Sequence, residues 1–468
     1  YVGGEVGQPK LNKLGSKTWL KTKSKVRTEV DDIAEDLVRI HAERQARKGV
    51  AFSPNASEMI EFSMSFPYQE TEDQERSIAE VLSDMEDIKP MDRLVCGDVG
   101  FGKTEVAMRA AYKAVLDNYQ VGILVPTTIL AQQHYDSFRE RFKNTAVRVE
   151  MLSRFRTPKQ IKIALKDLVE GRVDIIIGTH RLLSKDVAFK NLGVLVIDEE
   201  QRFGVKHKER IKQMRSTVDN LTLSATPIPR TLHMSLIGIR DISVINTPPI
   251  DRRAIRTRLM RFSDYVIQEA VNREIRRNGQ IYFVHNRVES IYQVGDYLQQ
   301  ILPKVRIGVG HGQMGERELE QVMVDFVNHK FDILLSTTIV ESGLDITNVN
   351  TIIINNADRF GLSQLYQLRG RVGRSNVQAY SYLLIPKDKI LTETAQKRLS
   401  ILRELNQLGS GFKIASYDLE LRGAGNVLGV QQSGHIAAVG FELYTAMVGE
   451  AVEKIQKGAT ESKPEQEI

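Results

Sequence analysis

Two rhythms of apolar residues run along the chain. Short apolar runs at 93–96, 122–125, 174–177, 194–197 and 221–223 are too brief for helices and show little polar alternation, as in strands covered on both faces. Between them, 105–116 and 130–142 carry apolar residues three and four apart, which predicts amphipathic helices. This βα alternation predicts a parallel sheet with helices on both faces. Thr247-Pro248-Pro249 breaks the rhythm as a linker does. The rhythm restarts at 281–284, 305–309, 332–335, 351–354 and 382–385, so two similar α/β lobes in tandem are expected.

The flanks read differently. Residues 1–27 mix Gly, Pro and Lys with Leu11, Leu14, Trp19 and Leu20, the pattern of a small β-rich module. Val30, Ile33, Leu37 and Ile40 recur at helical spacing within 28–48, predicting a long helix closed by Gly49. Helical patterning resumes after about residue 395, then gives way to a Gly-rich stretch at 421–434 and a polar, fraying tail after about 455.

A length of 468 residues fits about three domains. With 41% apolar and 26% charged residues, the chain has the profile of ordinary globular domains. Cys96 is the only cysteine, which excludes an intramolecular disulfide and points to a reducing compartment. Apolar runs such as 194–197 fall far short of the ~20 residues of a membrane span, so no membrane partner is expected. The start shows neither secretory signal nor transit peptide. Opening on Tyr1-Val2-Gly3-Gly4 without Met, the chain is expected to be excised from a longer protein. The net charge of +6 favours polyanionic partners without naming one.

The chemistry narrows the choice. Gly97-Asp98-Val99-Gly100-Phe101-Gly102-Lys103-Thr104 fits G-x-x-x-x-G-K-[ST] after a predicted strand and before a predicted helix. Gly97, Gly100 and Gly102 let backbone N–H groups close around phosphates. Lys103 then reaches the β/γ-phosphates of ATP, and the Thr104 hydroxyl serves Mg²⁺. Val196-Ile197-Asp198-Glu199-Glu200-Gln201 supplies acids at a strand end. Asp198 is the expected metal acid, and Glu199 the expected base for the attacking water. Arg371 and Arg374, three apart, are expected to point from one helical turn into an interlobe cleft as arginine fingers. A basic surface helix contacting phosphates is the alternative use of this segment, and Arg369 fits it as well.

The ordered set resembles the superfamily-two helicases over roughly 66–375. Phe66, Thr71 and Gln74 resemble the adenine-recognising motif of that family. Pro126-Thr127-Thr128 and Gly178-Thr179-His180-Arg181 resemble its strand-gripping motifs, and Ser224-Ala225-Thr226 resembles its coupling motif. Residues 282–287, 337–345 (with Thr337, Gly343 and Asp345) and 367–374 resemble its later motifs. Glu420-Leu421-Arg422-Gly423-Ala424-Gly425-Asn426, with Gln431-Gln432-Ser433-Gly434, resembles a translocation motif found in two branches of the family. One branch docks on RNA polymerase during repair; the other comprises RecG-like branch-migration helicases. Pro9-Lys10-Leu11-Asn12-Lys13-Leu14-Gly15, Ser153-Arg154-Phe155 and Arg202-Phe203-Gly204-Val205 are similar to the polymerase-docking branch.

The resemblance implies two tandem RecA-like P-loop domains, an N-terminal relay helix and a C-terminal helical hairpin with the translocation motif. The implied divisions are 1–27, the end of an RNA-polymerase-interaction domain; 28–65, relay helix and linker; 66–247 and 248–395, the lobes; 396–455, hairpin and loop; and 456–468, tail. It implies an ATP- and Mg²⁺-dependent translocase on double-stranded DNA, coupled through Arg422 and Gln432. Its partners would be RNA polymerase and, through regions outside this chain, excision-repair proteins. The setting would be bacterial cytoplasm at the nucleoid, although a plastid protein without its transit peptide would look the same. A RecG-like helicase, or a docking adaptor with a vestigial ATPase, is the alternative. Gln201 departs from the family's usual His, so altered coupling between the acidic and coupling motifs is expected.

The smaller signals favour structural roles. His134, His285 and His311 lack metal-ligand spacing and read as core or loop histidines. Cys96 reads as a buried, inert thiol. Phe360 and Tyr366 read as core, with base stacking the alternative. The basic residues from Lys17 to Lys25, and Arg139, Arg141 and Lys143, read as solvated faces or phosphate contacts.

Overall fold

The computed structural model describes residues 48–214, 218–225, 240–250, 252–338, 346, 348–373, 377–388, 390–405, 409–411, 413–414 and 417–418. The expected N-terminal module, the relay helix and the translocation motif therefore lie outside the described residues, as do Thr226, Gly343, Asp345, Arg374, Arg422 and Gln432.

Among the described residues the first lobe has seven strands: β1 (Asp92–Gly97), β2 (Gln120–Leu124), β3 (Val149–Leu152), β4 (Ile175–Gly178), β5 (Leu192–Asp198), β6 (Asp219–Ser224) and β7 (Asp241–Ile245). They lie in the order β3-β4-β2-β5-β6-β1-β7, and every neighbouring pair is parallel. Its helices are α1 (Ala56–Met64), α2 (Glu72–Glu86), α3 (Lys103–Leu116), α4 (Thr128–Arg141), α5 (Pro158–Glu170) and α6 (Val205–Met214). The second lobe has β8 (Arg256–Arg261), β9 (Gln280–Val284), β10 (Ile307–Gly310), β11 (Ile333–Ser336), β12 (Val349–Ile354) and β13 (Tyr380–Ile385). These form a parallel sheet in the order β10-β11-β9-β12-β13-β8. Its helices are α7 (Asp264–Ile275), α8 (Ile291–Ile301), α9 (Glu316–Val327), α10 (Leu362–Arg369) and α11 (Glu393–Glu404).

The continuous apolar runs are explained by burial on both sheet faces. Ile175, Ile177, Val194 and Val196 pack into one core of the first lobe, and Ile176, Leu195 and Ile197 into the opposite one. In the second lobe Ile281 and Phe283 face one core, Tyr282 and Val284 the other. The sequence pattern missed β3, β7 and β8, and all three are sheet edges. β7 and β8 are partly exposed and need no apolar run, while β3 is only four residues long and is interrupted by Glu150. In β8, Arg-Thr-Arg-Leu-Met-Arg, no residue is fully buried.

Both cores reach beyond the expected lobe boundaries. Phe52 and Phe62 are buried in the first lobe's core, so packing begins well before residue 66. Lys113, 1% exposed, fastens this segment by donating to Ser53 O at 2.8 Å and Glu86 Oε1 at 2.7 Å. Leu399 and Leu402 of α11, with Ile414, belong to the second lobe's core. Between the lobes, the Asp73 carboxylate accepts from the N–H groups of Asn246 (2.8 Å) and Thr247 (2.9 Å), pinning the linker to the first turn of α2. Burial raises the pKa of Asp73, but these bonds and Arg76 hold it below the usual value.

Candidate nucleotide-hydrolysis site

The order β5-β6-β1 places three motif-bearing strands side by side with their C-terminal ends together. In an open parallel sheet that end is where ligands bind. The loop from β1 enters α3 through Gly100 and Gly102, both at φ +79°, a left-handed conformation that glycine adopts without a Cβ penalty. A Cβ on Gly102 would also stand 2.3 Å from Gln74 Nε2. Lys103 Nζ donates to the carbonyls of Gly97 (2.6 Å) and Asp98 (2.9 Å). Burial lowers its pKa, against the pull of Glu199 and Asp198.

Across the cleft, Asp198 ends β5 and Glu199 follows with a left-handed backbone at φ 50°. A non-glycine residue holds that conformation only under tertiary constraint. Here the constraint is visible: Glu199 N–H donates to Leu223 O at 3.0 Å, and its Oε1 accepts from Ala225 N–H at 3.0 Å. The Gln201 amide donates to Glu199 Oε2. Gln201 thus meets the coupling segment through Glu199, on which both converge. Burial, then Asp198, raises the Glu199 pKa, while Lys103, Arg371 and the Ala225 N–H oppose the rise.

Arg371, 3% exposed, comes from the second lobe into the same cleft. It does not stand on a helical turn as expected: α10 stops at Arg369, and Arg371 lies in the turn after Gly370, with its N–H on Leu368 O at 3.0 Å. Gly370 caps the helix, and Gly373 beyond Arg371 is left-handed at φ 75°. Lys103, Thr104, His134, Asp198, Glu199 and Arg371 all line a cavity of about 180 Å³.

This donor set suits a nucleotide with Mg²⁺. A half-buried ammonium, the glycine backbone of the loop and a guanidinium can meet phosphate charge, while a hydroxyl and a carboxylate offer hard oxygens to the metal. Among the described residues no three His, Cys, Asp or Glu gather as an all-protein cage. Mg²⁺ needs none, since it is usually bound by one or two protein oxygens together with substrate phosphates.

The remaining predicted residues are placed as follows. Thr71 and Gln74 form a capping box at the start of α2, and Gln74 Nε2 donates to Phe101 O in the phosphate loop at 2.9 Å. Phe66 is half-buried against the guanidinium groups of Arg109 and Arg141. Thr127 caps α4, accepting from Leu130 N–H at 3.3 Å. Thr128 donates to Glu320 on α9, and Arg154 pairs with Glu316 on the same helix. Thr179 is buried, His180 is exposed and stacks on His207, and Arg181 pairs with Asp186. Ser224 is buried at the end of β6, and Thr337 is half-buried after β11. Arg369 is structural: it donates to Leu402 O and Leu405 O, with burial lowering its pKa. Phe360 is core. His285 lies between Ser290 and Asn355, and His311 meets Tyr292.

Sequence reasoning missed two arrangements. His134 is in the cleft, its Nε2 3.1 Å from Asp198 Oδ2. Asp98, a variable position of the phosphate loop, accepts from the Tyr366 hydroxyl and from Gly409 N–H at 3.0 Å. Arg252 adds a second tie, donating to Val99 O and to Gly373 O. The phosphate loop is thus held directly by the second lobe.

Cys96 is buried, and burial pushes its thiol up to about 12. Its alkylation by iodoacetamide at pH 8 is expected to be at least about 10³-fold slower than that of an exposed cysteine. Mass-spectrometric labelling of folded and unfolded protein measures this, and equal rates in the two would refute an inert thiol.

Two family models match the chain: DEAD/DEAH box helicase over 71–235 and Helicase conserved C-terminal domain over 263–376. Together they take in more than half of the sequence, and the chain belongs to the helicase superfamily that pairs these two domains. Within it, the chain is 57% identical over 466 residues to the transcription-repair-coupling factor of Bacillus subtilis. It is 54% identical over 468 residues to that of Staphylococcus aureus strain USA300. The whole chain is matched in both, but it spans only 39% and 40% of those relatives. A solved structure of RecG bound to a three-way DNA junction aligns with a TM-score of 0.75 and 34% identity, over 91% of this chain and 57% of that one.

Proposed function

We propose that this chain is the motor of a transcription-repair-coupling factor: an ATP-driven translocase on double-stranded DNA that acts on stalled RNA polymerase in excision repair. The observation that carries the reading is Arg371. A charge from the second lobe sits in the cleft with Lys103, Thr104, Asp198 and Glu199 of the first, so turnover requires the lobes to be together.

Bound Mg²⁺ would neutralise phosphate charge, and ATP would supply the phosphoryl group that passes to water. Lys103 and the loop amides hold the phosphates, Thr104 and Asp198 hold the metal, and Glu199 accepts the proton of the attacking water. Thr127, Thr128, His180 and Arg181 are proposed to grip the DNA backbone, with the buried Thr179 behind them, making binding sequence-independent and sensitive to salt. Because α9 contacts Thr128 and Arg154, DNA entering there has to move the second lobe, which links binding to the stroke. Arg422, Gln432, Gly343, Asp345, Thr226 and Arg374 complete the proposed machinery outside the described residues. RNA polymerase would engage the N-terminal module, and excision-repair proteins would engage regions beyond this chain.

The test is ATP-driven displacement of a third strand from blunt linear duplex DNA, with Lys103→Ala as control. Displacement without strand separation is the expected result, abolished in the control. The likeness to RecG supports a second reading, and activity confined to forked or junction DNA would establish that one instead.

A further inference from the structure

We propose that His134 is a positioning residue for Asp198, holding the carboxylate in the orientation that receives the divalent cation. The inference rests on the reading of the cleft as a Mg²⁺–nucleotide site and goes beyond it by assigning a residue to the metal acid's support.

His134 is 7% exposed and lies on α4, which forms one wall of the cleft through Gln133, His134 and Ser137. Its Nε2 is 3.1 Å from Asp198 Oδ2. One turn further along α4, the Phe138 ring stands 6.3 Å from the imidazole, centroid to centroid, and Phe138 itself is 1% exposed in the core. The ring is therefore backed by fixed packing on one side and faces the carboxylate on the other. A carboxylate at a strand end rotates about χ2 unless something holds it. An N–H from a packed imidazole to one oxygen removes that freedom and leaves the second oxygen for the metal. Partners of this kind, one step behind a metal ligand, typically change metal affinity or activity by 10–100-fold when removed.

The position on α4 has a further consequence. The same helix begins at Thr127 and Thr128, the residues proposed to grip DNA, so a rigid rod of two turns joins the DNA face to the metal acid.

The experiment is Mn²⁺ binding to the protein–ADP complex, read from the free Mn²⁺ signal in electron paramagnetic resonance, which is independent of turnover. His134→Leu is expected to weaken Mn²⁺ binding about 10–100-fold while leaving ADP binding in EDTA unchanged. His134→Gln, whose amide N–H reaches close to the position of Nε2, is expected to restore most of the affinity; the shorter His134→Asn is not. Wild-type affinity in His134→Leu, or equal behaviour of the Gln and Asn variants, overturns the positioning role. If the wild-type ADP complex takes up no Mn²⁺ at all, the nucleotide reading itself falls. Should His134→Leu fail to fold, the contrast between Gln and Asn still decides the question.

Discussion

Replacing Arg371 with alanine is expected to lower ATP turnover by on the order of 10³-fold or more, the range of an arginine finger removed from a phosphoryl-transfer site. Nucleotide binding should survive, because Lys103 and the loop amides belong to the other lobe. The expectation follows from position and environment. Arg371 is 3% exposed, and its charge opposes the rise of the Glu199 pKa across the cleft. There a guanidinium works in a site largely shielded from water, where its charge counts for more. Arg371→Lys should rescue little, since an ammonium lacks the planar fork. Single-turnover hydrolysis and fluorescent-nucleotide binding, measured on the same preparations, test the split. Turnover within tenfold of wild type would remove Arg371 from the transfer step and leave it as an interlobe contact.

Glu199→Gln is expected to cost roughly 10²–10⁴ in turnover, the usual worth of a general base, while keeping the fold. Glutamine retains an oxygen for the Ala225 N–H and is nearly the same size. A pH effect on stability accompanies the loss, because burial and Asp198 raise the Glu199 pKa in the metal-free protein. The stability effect has the opposite sign from that of a salt-bridged acid. The folded protein holds this proton more tightly than the unfolded chain, so stability falls as pH rises from the unfolded pKa through the folded one. Glu199→Gln should therefore melt higher than wild type at neutral pH, and the difference should close as pH drops to the ordinary carboxylate range and below. A melting difference that grows on acidification would contradict the raised pKa.

Much of this site was legible from local sequence. The phosphate loop is contiguous because backbone amides must wrap one phosphate group, and its lysine and threonine open the helix that follows. Asp198 and Glu199 were legible because a buried parallel strand is an apolar run, and polar residues at its end emerge at the ligand face. The two-lobe division was legible because the rhythm stops at Thr247-Pro248-Pro249 and restarts.

Other features depend on chain path. The edge strands β7 and β8 carry no apolar run because they are partly exposed, and in the four-residue β3 Glu150 interrupts one. Arg371 was foreseen in the cleft but not its presentation from a turn, since α10 stops at Arg369. His134 lies 64 residues from Asp198 in sequence, and Tyr366 lies 268 from Asp98. No periodicity reports such contacts. His134 has the spacing of a core residue because its ring is buried; only the tertiary contact of 3.1 Å to Asp198, at the end of β5, shows that it is buried against a carboxylate. Asp98 looks like a permissive loop position until α10 and Gly409 approach it from the second lobe. Thus the chemistry of the cleft was written into short segments, each obeying a local requirement of strand, helix or phosphate geometry. Which side chains support and constrain that chemistry was settled by how two sheets stack distant segments against one another.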